Sequence, residues 1–432
     1  MKITVAKSDL EAALSVAKIS VSADADLSGH YLFRVKDGKA EILSYHQRIF
    51  SRAPLTGATV EGDEGAAFTV EAWRLDKWVG GVTDGVLVLT ADGAGEVAAS
   101  GPRSKIKLRS LDPSKFPFWD KLVASATSSG TTPAAALSRA LGVSRWSVSA
   151  DDTSKPELCQ IEAVKGILWA TDRRSLSAAE IPGIPNLTIR IPGKDVAAVI
   201  KFLNDKNSAD GTVEIKESTR TAAEGGGAAL FVRTDGSYLG VSRPNTKLPV
   251  LKINRDESHA FSVVLDRDEL TTAIAVLSAG APKGYSQISL RCADGVILVS
   301  MPSEAGGASD YPLTLSTVDN PDAFSMVFDL SHPYLQGLIS TFGLDKIKLG
   351  CNKRDGGGYC TFRQYDSDED EKLISSIQAL TEVPIEEIKP EEEDEGKGEK
   401  KKSLTLEEYK TLKIQGVQLK GNRYHTLIVW RT

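Results

Sequence analysis

The side chains with most to offer chemically are cations at helical spacing. Lys194 and Lys201 stand seven residues apart, which places both on one side of a helix while Val196, Val199, Ile200 and Leu203 face inward. Arg74 and Lys77 repeat the device at i, i+3, and Lys7, Lys18, Arg139 and Arg145 fall on or beside two further helix-like stretches. Cations arrayed this way attract phosphates through water, without reading sequence and with strong dependence on salt. Any one of them would equally serve as an ordinary solvated helix face. Recurrence on four corresponding stretches is what favours the binding reading.

Bond-making chemistry is harder to find. His30, His46, His259, His332 and His425 lack metal-ligand spacing, and no Gly-x-Ser-x-Gly or phosphate-binding glycine loop occurs. Gly225–Gly227 and Gly356–Gly358 lie between strand-like runs rather than before helices, which predicts hairpin loops. Asp172 has no carboxylate partner at a recognisable spacing, so a hydrolase working through loop carboxylates has nothing behind it. Cys159, Cys292, Cys351 and Cys360 form no Cys-x-x-Cys pair and read as reduced, structural thiols; Cys351 and Cys360 could at most face each other across a hairpin. The expectation is a binding protein, not an enzyme, with no cofactor and no metal.

The elements that must position these cations come three times. Tyr31–Leu43, Cys159–Ala170 and Ile288–Val299 each read as strand, glycine turn and strand, with Gly38, Gly166 and Gly295 roughly 128 residues apart, a domain-sized period. Each third opens on an amphipathic helix. Ser8-Asp9-Leu10-Glu11 and Asp266-Arg267-Asp268-Glu269 predict capping boxes ahead of the stripes Leu10, Ala13, Leu14, Ala17 and Leu270, Ala273, Ile274, Leu277. In the middle third, Thr132-Pro133 predicts a cap and first-turn proline before Leu137, Ala140 and Leu141. A strand, a helix and a strand follow each hairpin, over 68–89, 189–215 and 324–349. The predicted fold is α+β: three tandem domains at 1–123, 124–254 and 255–432, each with two helices on antiparallel sheet.

Charge is distributed unevenly. The chain carries a formal −6, but residues 366–420 alone hold 16 acidic and 9 basic side chains, leaving the rest close to neutral and able to carry a basic face. This stretch reads as an insertion in the last third, with short helices at 370–380 and from Thr405, and a solvated, core-poor tract at 384–402. No apolar run approaches bilayer length and Met1–Val5 has no signal-peptide layout, which predicts a cytoplasmic protein without membrane contact.

Four segments, taken in order, resemble the bacterial-type DNA sliding clamp, the beta subunit of the replicative DNA polymerase, in a divergent form. Trp169-Ala170-Thr171-Asp172-Arg173-Arg174-Ser175-Leu176 is similar to that family's Ala-Thr-Asp-Gly-His-Arg-Leu stretch. Leu111–Pro117 resembles its Leu-Pro-x-x-x-Phe-Pro, Lys247-Leu248-Pro249 its Phe-Pro connector, and Thr426–Thr432 stands in the place of a tail ending apolar-Pro-Met-Arg-Leu. The resemblance implies a processivity factor. Two chains would close head to tail into a homodimeric ring of six domains around double-stranded DNA, tether a polymerase, and be opened by a clamp loader. A divergent clamp with an added arm suits a large bacteriophage as well as a bacterium.

The resemblance also implies a client-peptide groove between the second and third domains. Thr171, Arg173, Arg174 and Leu176 would form one wall, Pro249 the connector, and Ile428, Val429, Trp430 and Arg431 the last strand. The same residues would equally pack a domain junction. Two arginines stand where the family has Gly-His, and Val429-Trp430 replaces Pro-Met, which implies an altered peptide preference. An acidic third domain and an altered pocket leave a second expectation open: a clamp-fold scaffold that no longer encircles DNA.

Overall fold

The computed structural model describes residues 1–93, 95–150, 153–172, 175–206, 211–218, 227–249, 253–254, 261–285, 287–293, 296–315, 317–318, 324–329, 345–354, 357–364, 414–415 and 424–429. The expected helices at 331–342, 370–380 and from Thr405, and the tract 384–402, lie outside them. The chain divides into two compact units, one of residues 1–172 with 179–248, the other of residues 173–178 with 249–432. Both are α+β. Among the described residues no helix is long and apolar enough to cross a membrane.

One local device occurs three times. Strands Lys2–Ala6, Thr127–Pro133 and Phe261–Asp266 each run without a loop into helices Lys7–Ala17, Ala134–Ser144 and Arg267–Gly280. Each strand pairs antiparallel with a later strand of its own third, in the registers Ala6↔Val86, Pro133↔Thr212 and Asp266↔Lys346. The first helical amide is then satisfied by the carbonyl just ahead of that partner strand: Lys7 N donates to Gly85 O, Ala134 N to Gly211 O, and Arg267 N to Asp345 O, at 2.9, 3.0 and 2.8 Å.

This backbone capping corrects two expectations. Ser8 lies inside its helix, whose cap position is Ala6 with no side-chain hydrogen bond, and Pro133 ends a strand rather than filling the first turn. A neighbouring strand supplies the acceptor, so no capping side chain is needed. Asp266 does accept from Glu269 N at 2.9 Å, as predicted. Glu269 does not complete the box; it accepts from Thr314 N at 2.7 Å and Leu315 N at 3.0 Å. The predicted stripes are buried in all three helices, except that Ile274 is half-buried.

The hairpins predicted around Gly38, Gly166 and Gly295 join His30–Lys36 to Lys39–His46, Gln160–Val164 to Ile167–Thr171, and Gln287–Ala293 to Val296–Pro302. Gly38 and Gly166 take the positive φ, +69° and +77°, that such tight turns require. Cys351 and Cys360 are register partners across the hairpin of Lys346–Arg354 and Gly357–Gln364, and Cys159 and Cys292 are in no disulfide.

In the first unit an eight-stranded sheet runs across the boundary between the first two thirds. Its order is Thr127–Pro133, Thr212–Ser218, Ala228–Arg233, Tyr238–Ser242, Ile49–Pro54, Lys39–His46, His30–Lys36, Ala67–Glu71. Tyr238–Ser242 meets Ile49–Pro54 antiparallel in the register Gly240↔Phe50, so the exposed edge of one third is satisfied by the next. The Leu111–Pro117 connector and the residues after it seal this seam. Trp119 stacks on Phe50 at 4.7 Å between centroids, Phe116 is buried edge-on to Tyr45, and Phe50 meets Tyr238 edge-on. Asp120, at the start of the short helix Asp120–Ala124, is held by Arg34 at 2.7 Å and by Lys36.

Candidate nucleic-acid interface

The helices carrying the predicted cations form a chain of contacts within the first unit. Ala72–Gly81 packs on Lys7–Ala17, the turn Lys18–Ser20 that follows meets Val196–Leu203, and Val196–Leu203 packs on Ala134–Ser144. A hydrogen bond from Ser15 Oγ to Asp205 Oδ2 at 2.8 Å ties the first third's helix to the second's. The layer exists because apolar stripes on each helix turn to the sheets. Leu75, Trp78 and Val79 are buried from Ala72–Gly81, and Val196, Val199, Phe202 and Leu203 from the other.

On this layer Lys18, Arg74, Lys77, Arg139 and Lys201 are exposed. Several are already engaged. Lys18 lies 3.1 Å from Asp76, and Arg74 lies 2.7 Å from Glu71 while its guanidinium covers the Trp73 ring. Lys7 is half-buried between Glu11 and Asp84, at 3.4 and 3.8 Å. In the second unit, Arg267 pairs with Asp268 and Asp345, so Arg267–Gly280 presents no comparable set of cations.

Lys194 and Lys201 do not lie on one α-helix. Lys194 sits in the single 3₁₀ turn Gly193–Asp195, and the α-helix begins only at Val196. Lys194 instead joins Arg145, Arg48 and Arg243 around a cavity of about 710 Å³ within the first unit. Arg48 comes from the turn between Lys39–His46 and Ile49–Pro54; Arg243 follows Tyr238–Ser242. Neither belongs to a helix, so helical periodicity could not find them. A basic residue at a hairpin tip and another at a strand end were the only signals.

The walls are fixed by hydrogen bonds. Ser242 N donates to Arg48 O and Gly193 N to Cys159 O, both at 2.8 Å. The stretch Pro244–Thr246 is held from beneath by Arg190, which donates to all three carbonyls, and by Gln160, which donates to Thr246 O at 3.0 Å. Gly193 admits no larger residue, because a Cβ there would overlap Val148. Arg145 lies over the Trp146 ring at 4.3 Å. Among the described residues no carboxylate lines the cavity. Two stand beside its cations: Asp195, buried, with burial pushing its carboxyl up against the opposing pull of Lys194 and Arg48, and Glu217, 2.6 Å from Arg243 and also pushed up by burial.

The residues of the expected peptide groove are placed one by one. Thr171 and Leu176 are buried and Pro249 is half-buried. Ile428 and Val429 lie on strand Tyr424–Val429, while Arg173, Arg174, Trp430 and Arg431 fall outside the described residues.

No protein-family model and no curated protein matches the sequence. Solved structures do match over its whole length. The chain is similar to the DNA polymerase III subunit beta of Pseudomonas aeruginosa, at 14% identity and a TM-score of 0.67, covering 100% of both chains. A second structure, a sliding clamp from the same organism bound to griselimycin, gives 15% identity, a TM-score of 0.70 and again 100% of both chains. A third, a P. aeruginosa DNA polymerase sliding clamp with ligand, gives 17% and 0.66 over 86% of this chain and 97% of that one. At such identities the likeness is one of fold, and the fold is that of the sliding clamps.

Proposed function

We propose that the protein is a DNA polymerase processivity factor, a non-enzymatic sliding clamp. In this reading the chain holds three clamp domains, and two chains close head to tail into a ring around duplex DNA. The observation that carries it is the end-to-end fold match to DNA polymerase III beta subunits. The threefold strand-helix device and the layer of exposed cations on three helices and the turn Lys18–Ser20 support it independently. Cations that attract phosphates only through water and long side chains suit a ring that slides, because affinity without base contacts leaves every register nearly equal in energy. The partners are double-stranded DNA, a second copy of the chain, a replicative polymerase and a clamp loader. Clients would bind a groove formed by Thr171, Arg173, Arg174, Leu176, Pro249, Ile428, Val429, Trp430 and Arg431.

Topology gives the test. After loading, a ring stays on covalently closed plasmid through a high-salt wash and slides off once the plasmid is linearised. Equal loss from both forms would overturn encirclement. It would favour instead the scaffold reading, for which the poorly basic helix Arg267–Gly280 speaks.

A further inference from the structure

We infer that the cavity bounded by Arg48, Arg145, Lys194 and Arg243 is a binding site for a phosphomonoester of nucleotide size. The inference deepens the nucleic-acid reading of Arg145 and Lys194 and rests on it.

The charge count selects the ligand. Among the described residues four cations and no carboxylate line the cavity, with Asp195 beside Lys194 and Arg48 and Glu217 beside Arg243, so an excess of positive charge faces the space. Were these cations present only to balance the buried acids, two would suffice. An internal phosphodiester carries one negative charge. A terminal or free phosphate carries about −1.5 to −2 near neutral pH and offers three acceptor oxygens. Three of the four cations are arginines, whose planar donor forks match phosphate oxygens two at a time.

Shape agrees with charge. A volume of about 710 Å³ lies in the range of small-molecule sites, roughly 300–1,000 Å³, and exceeds what a bare phosphate fills. Val148, Pro156, Pro192 and Pro244 add apolar wall that a sugar or base could cover. The cations are also preorganised. Arg145 is laid flat on Trp146, Arg243 is steered by Glu217, and Arg48 and Lys194 sit on backbone pinned by the Ser242–Arg48 and Gly193–Cys159 bonds. Two sources carry this chemistry: a free nucleotide, or the 5′-phosphate of a DNA end.

The experiment uses the full chain. Sodium pyrophosphate, against sodium chloride at matched ionic strength, should raise the melting temperature by about 2–4 °C at saturating probe. The shift should vanish in the Arg48→Gln/Lys194→Gln variant, whose altered side chains are exposed, and persist in Lys2→Gln/Lys107→Gln, where cations far along the sequence are removed. No shift in the unaltered protein, or the same shift in the cavity variant, overturns the site. Fluorescence anisotropy then separates the sources. A 5′-phosphorylated single-stranded oligonucleotide binding about tenfold tighter than its 5′-hydroxyl twin assigns the DNA end; equal binding of the two, with deoxyadenosine monophosphate still raising the melting temperature, assigns the free nucleotide. Neither readout uses circular DNA, so failure here is distinguishable from failure of encirclement.

Discussion

Among single residues, the acids that hold the first seam differ in what they do by how deeply they sit. Glu41 is 2% exposed, gripped by both Arg34 and Arg52. Removing one partner of a buried ionic group leaves uncompensated charge, so Glu41→Gln should cost about 3–5 kcal/mol in urea unfolding. Asp120 is more open, and its hydrogen bond from Arg34, with help from Lys36, holds its carboxyl down at about 2. Because the folded value lies below the ordinary 3.8, the stabilisation is fully present above that pH and fades as pH falls toward 2. Asp120→Asn should therefore flatten melting temperature against pH between about 4 and 2. At neutral pH it should cost about 1 kcal/mol or less, since solvent screens a pair this exposed. An unchanged acid limb in that variant would show that another carboxylate governs it.

Elements were legible in the sequence wherever the signal was local and periodic. The stripes Leu10, Ala13, Leu14, Ala17 and Leu137, Ala140, Leu141 are buried as their spacing predicts, and the glycine hairpins stand where turn chemistry put them. What failed was whatever depends on a partner distant in sequence. Ser8 and Thr132 look like caps, yet Gly85 and Gly211 carbonyls do that work from strands about 80 residues away. The cavity was half legible, through Arg145 and Lys194; Arg48 enters it only because strand Tyr238–Ser242 pairs with Ile49–Pro54. That pairing depends on Gly240, since a Cβ there would overlap the Phe50 ring. Gly240→Ala should displace Phe50 from its stack on Trp119 and cost about 1–3 kcal/mol by overpacking. Thermal unfolding with near-ultraviolet circular dichroism would report both effects; a native aromatic spectrum would show the seam more plastic than its packing implies.

At the scale of the whole molecule, the seam inside the chain specifies the one that a ring would need between chains. Within the first unit's eight-stranded sheet, Tyr238–Ser242, the last strand contributed by the second third, pairs with Ile49–Pro54, the end strand of the run that carries the first third's hairpin. The corresponding strands elsewhere are sheet edges: Ser104–Arg109 in the first third and Ala308–Leu313 in the last. Two copies placed head to tail would join these two edges. The two strands are opposite in charge, with Lys105, Lys107 and Arg109 on one and Asp310 on the other, though Lys107 already pairs with Glu96 and Asp310 with Arg291. Within the acidic stretch 366–420, the tract Glu382–Lys402 has too few apolar residues to belong to a core, so deleting that tract should leave both melting temperature and assembly unchanged. Light scattering at micromolar concentration should then give twice the 46.3 kDa chain mass. Lys105→Glu with Lys107→Glu should bring it to the mass of one chain, because like charges would face each other across a new ladder. Adding Asp310→Lys should restore the larger mass. A dimer indifferent to all three changes would place the joint on other strands, and a single-chain mass for the unaltered protein would remove the ring.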